Sequence, residues 1–140
     1  MRQGGVLSPD LYSIYVDELI CILRKSGVGC YICKIFAAAL FYADDMAILA
    51  PSLKGLQMLL NLCQTYCVEC DILLNAKKTK NMFFGKGVPP TFRLSLDNQL
   101  IPRAPQWNYL GVTLMSGKCF NSRAKESIAS FYRTPYNGLK

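Results

Sequence analysis

The chain has 140 residues, of which 51% are apolar and 18% charged; this is room for one ordinary domain with a buried core and excludes intrinsic disorder. Sixteen Lys+Arg against nine Asp+Glu leave a net charge of +7, which points to a polyanionic partner, nucleic acid before a membrane surface. The longest unbroken apolar run, Ile35 to Ala43, falls far short of the roughly 20 residues a membrane span needs.

The charge is uneven. Residues 1–50 hold four basic and five acidic side chains, and residues 51–140 hold twelve and four. The seven Cys are an odd number, and no apolar leader follows Met1. Reduced thiols in an intracellular protein of nucleus or cytoplasm are the expectation.

Arg2 to Leu7 is a glycine-bearing entry loop. Ser8 and Pro9 then suit the N-cap and first turn of a helix. Leu11, Tyr15, Leu19, Ile22 and Leu23 recur at helical spacing to about Lys25, where Ser26, Gly27 and Gly29 end it. Cys30 to Ala43 reads as a strand and Met46 to Ala50 as its return, stopped by Pro51. Ser52 caps a second helix, whose apolar face is Leu56, Leu59, Leu60, Cys63, Tyr66, Cys67 and Cys70 and which ends near Asp71. A basic connector, Leu73 to Lys80, leads into a strand over Asn81 to Phe84, and Gly85 to Pro90 make a turn. Phe92, Leu94 and Leu96 alternate as a strand, Asp97-Asn98 turn it, and Leu100-Ile101 continue it. Trp107 to Leu114 forms a further strand, and Ser122 to Tyr132 suits a short basic helix. The class is α+β: a small antiparallel sheet with a β-hairpin, backed by two helices.

Asp44 and Asp45 fall between two apolar runs, at the tip of the expected hairpin. Adjacent carboxylates on an apolar support repel each other and lose solvation, and a divalent cation relieves both penalties. The alternative is a solvated turn, since Asp is a common turn residue. Two C-x-x-C pairs, Cys30/Cys33 and Cys67/Cys70, have the arithmetic of a four-thiolate zinc module. Against that, Cys63, Cys67 and Cys70 share a helix face with Leu56 and Leu60, where reduced Cys packs as a small hydrophobe.

Four blocks in order resemble a reverse transcriptase, most closely the non-LTR retrotransposon kind. They are Arg2-Gln3-Gly4-Gly5-Val6-Leu7-Ser8-Pro9, Phe41-Tyr42-Ala43-Asp44-Asp45, Asn75-Ala76-Lys77-Lys78-Thr79 and Tyr109-Leu110-Gly111-Val112. A group II intron or retroviral type is the runner-up. The resemblance implies a partial polymerase palm over residues 1–115, with residues 116–140 as the start of a thumb or a tail. It implies Mg²⁺ on Asp44, with Asp45 as the secondary carboxylate. Lys78 would act on pyrophosphate. Gln3, Gly4, Gly5 and Tyr42 would lie against nucleotide or template, and Tyr109, Leu110 and Gly111 would form a primer grip.

The implied partners are an RNA template, a DNA primer and deoxynucleoside triphosphates. Each block has a plain alternative: a glycine turn, a core aromatic at Tyr42, a solvated basic loop at Lys77, Lys78 and Lys80, and a core strand with a glycine bulge at Gly111. The family's further catalytic aspartate belongs upstream of the first block, so the 140-residue chain alone is expected to have little or no polymerase activity. A non-catalytic, basic nucleic-acid-binding remnant is the competing reading.

Overall fold

Helix α1 (Ser8–Lys25) begins where Ser8 and Pro9 place it and ends at the Ser26-Gly27 stop. The Ser26 N–H donates to the Ile22 and Leu23 carbonyls, the Gly27 N–H donates to Arg24, and the Ser26 hydroxyl donates to the Leu23 carbonyl at 2.6 Å. Gly27 has φ 69°, a conformation glycine adopts without steric cost. The structure is a computed structural model describing residues 8–43, 45–86, 93–118 and 121–122. They divide into two compact units, Met1–Ala76 with Phe92–Leu100, and Lys77–Thr91 with Ile101–Lys140.

In the first unit, the long strand expected over residues 30–43 is broken into three. Strands β1 (Tyr31–Ile32) and β2 (Ile35–Phe36) pair with each other in the register Tyr31↔Phe36 and Ile32↔Ile35. The reversal falls at Cys33, which has φ 56°. The chain then enters β3 (Ala39–Tyr42), which pairs antiparallel with β4 (Asp45–Ile48). The Leu49 N–H donates to Ala38 at 2.7 Å and the Cys30 N–H donates to Leu49 at 3.3 Å, so the base of this second hairpin is tied back to the segment before β1.

Helix α2 (Leu53–Glu69) has the N-cap the sequence calls for, with the Ser52 hydroxyl accepting from the Gly55 N–H at 3.1 Å. At its other end Asp71 takes φ 54°, its N–H donates to Val68, and the Ile72 N–H donates to Cys67 at 2.7 Å. This is a Schellman closure, which satisfies the last carbonyls. The buried face is Leu59, Leu60, Cys63, Tyr66 and Cys67. The core cluster joins Leu59, Cys63 and Tyr66 of this face to Leu19 and Leu23 of α1 and to Ala38, with Phe41, Met46 and Ile48 packed against it. The two helices therefore back the β3–β4 hairpin, as the apolar spacing requires.

A short hairpin, β5 (Ser95–Leu96) and β6 (Gln99–Leu100), completes the first unit. Asp97 and Asn98 at φ 50° and 55° make its turn, the primed geometry that suits strand twist. Leu94 and Leu96 are buried, as alternation predicts.

In the second unit, the strand expected over residues 107–114 is a hairpin. Strand β7 (Gln106–Tyr109) turns through Leu110 and Gly111, at φ 50° and 77°, into β8 (Val112–Met115). Two consecutive positive φ values reverse the chain, whereas a bulge would leave it running on. Strand β9 (Asn121–Ser122) adds to β8, so Ser122 belongs to a strand and not to the expected helix, whose remaining residues lie outside those described. Asn81 to Phe84 is likewise no strand: it touches Arg103 and Gly117 through single parallel bridges at its two ends. The α+β class stands, but the strands form four small sheets among the described residues and not one. No helix of the described residues is long and apolar enough to cross a membrane.

Candidate active site

The paired-acid segment is positioned by strand alternation. Ala39, Phe41, Met46 and Ile48 pack against the core from one face of the β3–β4 hairpin. Period-two alternation sends Leu40, Tyr42, Asp45 and Ala47 to the other face. The hairpin register sets Tyr42 opposite Asp45. Asp45 is exposed, and Tyr42 is 65% exposed, so its alternative role as a core aromatic does not hold.

The expectation that both acids share the turn needs correction. Asp45 opens β4 and pairs with Tyr42, leaving Ala43 and Asp44 between the paired residues. Ala43 carries the positive φ, 48°. Asp44 itself lies outside the described residues, as do Gln3, Gly4 and Gly5 of the entry loop.

Lys78 is exposed in a turn that opens the second unit, with Ala76 before it buried. Tyr109, Leu110 and Gly111 occupy the β7–β8 turn of that unit. Tyr109 is half-buried, Leu110 is exposed, and the space about the Gly111 α-carbon is open. The core strand with a glycine bulge is replaced there by an exposed, sharply turned backbone.

The cysteines of α2 are packing groups. Burial, with a smaller push from Cys67, raises the Cys63 thiol to about 12, and burial followed by Cys70 raises Cys67. Zinc needs the thiolate, which such an environment disfavours. Tyr66 lies on the same buried face, its hydroxyl 3.0 Å from the Tyr15 carbonyl and 3.1 Å from Glu18 Oε2. Burial first, then the Cys70 and Glu18 side chains, push that hydroxyl up, so Tyr66 is a neutral pin between the helices.

Sequence reasoning missed the polar stripe of α2. Gln57 Nε2 donates to the Ser95 carbonyl at 2.9 Å, and the Ser95 N–H donates back to Gln57 Oε1 at 2.9 Å. Asp97 donates its N–H to Gln64 Oε1 at 3.2 Å. The spacing Gln57-Asn61-Gln64 is helical and was the available signal.

The profile described as reverse transcriptase (RNA-dependent DNA polymerase) matches residues 1–114. Among curated proteins, the chain is 30% identical over 138 residues to the RNA-directed DNA polymerase from mobile element jockey of Drosophila melanogaster, covering 94% of this chain and 14% of that protein. It is 30% identical over 141 residues to the probable RNA-directed DNA polymerase from transposon BS of the same species, covering 94% and 15%. It is 29% identical over 122 residues to the retrovirus-related Pol polyprotein from type-2 retrotransposable element R2DM, again from that species, covering 80% and 11%. The chain thus spans about a seventh or less of these relatives. No solved structure matches. With the profile covering most of its length, the chain belongs to the reverse transcriptase family, alongside the RNA-directed DNA polymerases of retrotransposons.

Proposed function

We propose that residues 1–115 are the C-terminal part of the palm of a non-LTR RNA-directed DNA polymerase, with residues 116–140 the start of its thumb. The observation that carries the reading is the β3–β4 hairpin. It lies within the matched residues 1–114 and turns Tyr42 and Asp45 outward from an apolar support.

The donor chemistry fits a hard divalent cation. Asp45 offers exposed carboxylate oxygens, hard donors of the kind Mg²⁺ takes together with water and substrate phosphates. Asp44 would be the principal ligand, and Asp45 would adjust its position and field. When bound, the ions supply activation of a primer 3′-hydroxyl and neutralisation of charge on the triphosphate. Tyr42 shapes the surface beside the primer end. Lys78 neutralises or protonates the leaving pyrophosphate. The Tyr109-Leu110-Gly111 turn sets backbone against the primer, and Gln3, Gly4 and Gly5 approach nucleotide and template. The partners are an RNA template, a DNA primer and deoxynucleoside triphosphates, and the work is intracellular. Two-ion coordination takes a carboxylate beyond this pair, so these 140 residues alone give little or no synthesis.

The test is Mg²⁺-dependent, RNA-templated DNA synthesis by a protein carrying this chain at its relatives' length. Asp44→Ala abolishes incorporation, and Lys78→Ala slows it by about 100-fold, as expected for a lost proton donor. Full synthesis by Asp44→Ala overturns the reading. One observation favours a second reading, nucleic-acid binding without catalysis: residues 77–91 and 101–140 together hold ten basic side chains and one acidic. That reading requires binding without incorporation at any length.

A further inference from the structure

The first unit is acidic overall, with six basic and eight acidic side chains. Yet three of its six cations, Arg24, Lys25 and Lys34, fall in one stretch, and no acidic residue occurs between Glu18 and Asp44. All three are exposed.

The ordinary use for basic groups in a helix's last turn is to serve its final carbonyls. Here three of the last four carbonyls are already served. Ile22, Leu23 and Arg24 accept from Ser26, Gly27 and two hydroxyls, the second being Tyr31 Oη, 3.4 Å from the Arg24 carbonyl. Arg24 and Lys25 therefore project as unspent charge. The Tyr31 bond also places the β1–β2 ribbon beside this helix end, and Lys34 stands on the ribbon's turn, on the order of 10 Å further out at about 3.3 Å per residue.

The ribbon is built to hold its shape. A two-stranded hairpin is marginal by itself. This one has an edge-on Tyr31–Phe36 ring pair with centroids 5.4 Å apart, a base bond from the Ala37 N–H to Cys30, and Phe36 packed on the core. Its far rung, however, is the cross-strand pair Ile32↔Ile35, with 68% and 71% of these side chains exposed. An apolar pair held out on such a ribbon, with Arg24 and Lys25 behind it and Lys34 at its tip, does nothing for the fold. Proteins that bind a duplex from its minor groove use the same combination, apolar side chains such as Ile or Leu pressed in at the base steps with Lys and Arg beside them.

We propose that the β1–β2 ribbon is a duplex-binding prong: Arg24, Lys25 and Lys34 neutralise backbone phosphates while Ile32 and Ile35 rest in the minor groove of an RNA–DNA hybrid. The hybrid follows from the polymerase reading, on which this inference rests. Its A-like minor groove is wide and shallow, within reach of a short ribbon.

The experiment is fluorescence anisotropy of the purified chain with a labelled RNA–DNA hybrid over a series of salt concentrations. Three variants are compared: Arg24→Ser/Lys25→Ser/Lys34→Ser, Ile32→Ser/Ile35→Ser, and the first-unit control Lys54→Ser/Arg93→Ser. Each is checked for an unchanged circular dichroism melt. The charge variant lowers the slope of log affinity against log salt by about 2 to 3, one counterion for each lost contact. The isoleucine variant weakens hybrid binding at least tenfold and leaves that slope unchanged. The control keeps both near the wild-type values. A charge variant with the wild-type slope overturns the prong and leaves the polymerase reading standing. A wild-type chain that shows no salt-dependent hybrid binding overturns the prong, whereas the polymerase reading is judged separately by DNA synthesis at the relatives' length.

Discussion

The buried thiol of Cys63 is the residue where packing and titration meet. It is fully buried, and burial, aided by Cys67, lifts it from an ordinary 9.0 to about 12. Because the folded value is the higher one, the native state holds the proton where the unfolded chain releases it. The contribution to stability is fully present below about 9 and is lost as pH rises through 12. Urea unfolding above pH 9 therefore shows a wild-type decline steeper than that of Cys63→Ala, approaching about 1.4 kcal/mol per pH unit for one proton between about 9 and 12. Parallel curves would remove the thiol from the account. Gly29 is the second such residue. It has φ 120°, and a β-carbon there collides with the Ala38 β-carbon and crowds Phe36 at 3.2 Å. Ala38 lies at the base of the β3–β4 hairpin, so Gly29→Ala strains the support of the acidic strand. A loss of about 2 kcal/mol in thermal or urea unfolding is expected from overpacking combined with backbone strain.

Among the elements, the β5–β6 hairpin shows how a polar helix stripe holds sheet structure. The Gln57 amide meets both backbone groups of Ser95 as a neighbouring strand would. Gln57→Ala leaves those groups unpartnered in a half-buried setting and costs about 1–2 kcal/mol. Hydrogen exchange at the Ser95 amide should quicken while the α2 core amides hold their protection. The two described helices were legible, because each has a serine at or just before its start, an apolar stripe and a clear stop. The hairpins were legible only where usual turn residues marked them. Asp97-Asn98 announced a reversal. Cys33 and Leu110 did not, since neither residue type favours the positive φ it adopts. An apolar run that passes through such a position therefore reads as one strand, and both long strand expectations failed for this reason. In the acidic hairpin the strands were foreseen and the loop was displaced by one residue: Ala43 takes a left-handed conformation in the turn, and Asp45 is already paired with Tyr42.

Across the whole molecule the sequence halves hinted at a division of charge, and the two units sharpen it. The first carries six basic and eight acidic side chains, the second ten and one. The boundary was not legible along the chain, because residues 92–100 return to the first unit between two segments of the second, and only contacts in space reveal that. The consequence is a separation of labour that binding measurements can resolve. Affinity for a polyanion should draw chiefly on the second unit, while the acidic hairpin of the first contributes nothing favourable until a cation is present. Replacing Lys77, Lys80 and Lys86 by Ser should lower the salt slope of nucleic-acid binding by about 2 to 3. Asp44→Ala should leave metal-free binding equal or slightly tighter, since it removes a like charge from the phosphate's surroundings. Added Mg²⁺ should then strengthen binding of a primer-template with triphosphate in the wild type and not in Asp44→Ala. A metal response that is the same in both proteins would show that the acidic hairpin does not hold the ion, however strong the binding itself proved to be.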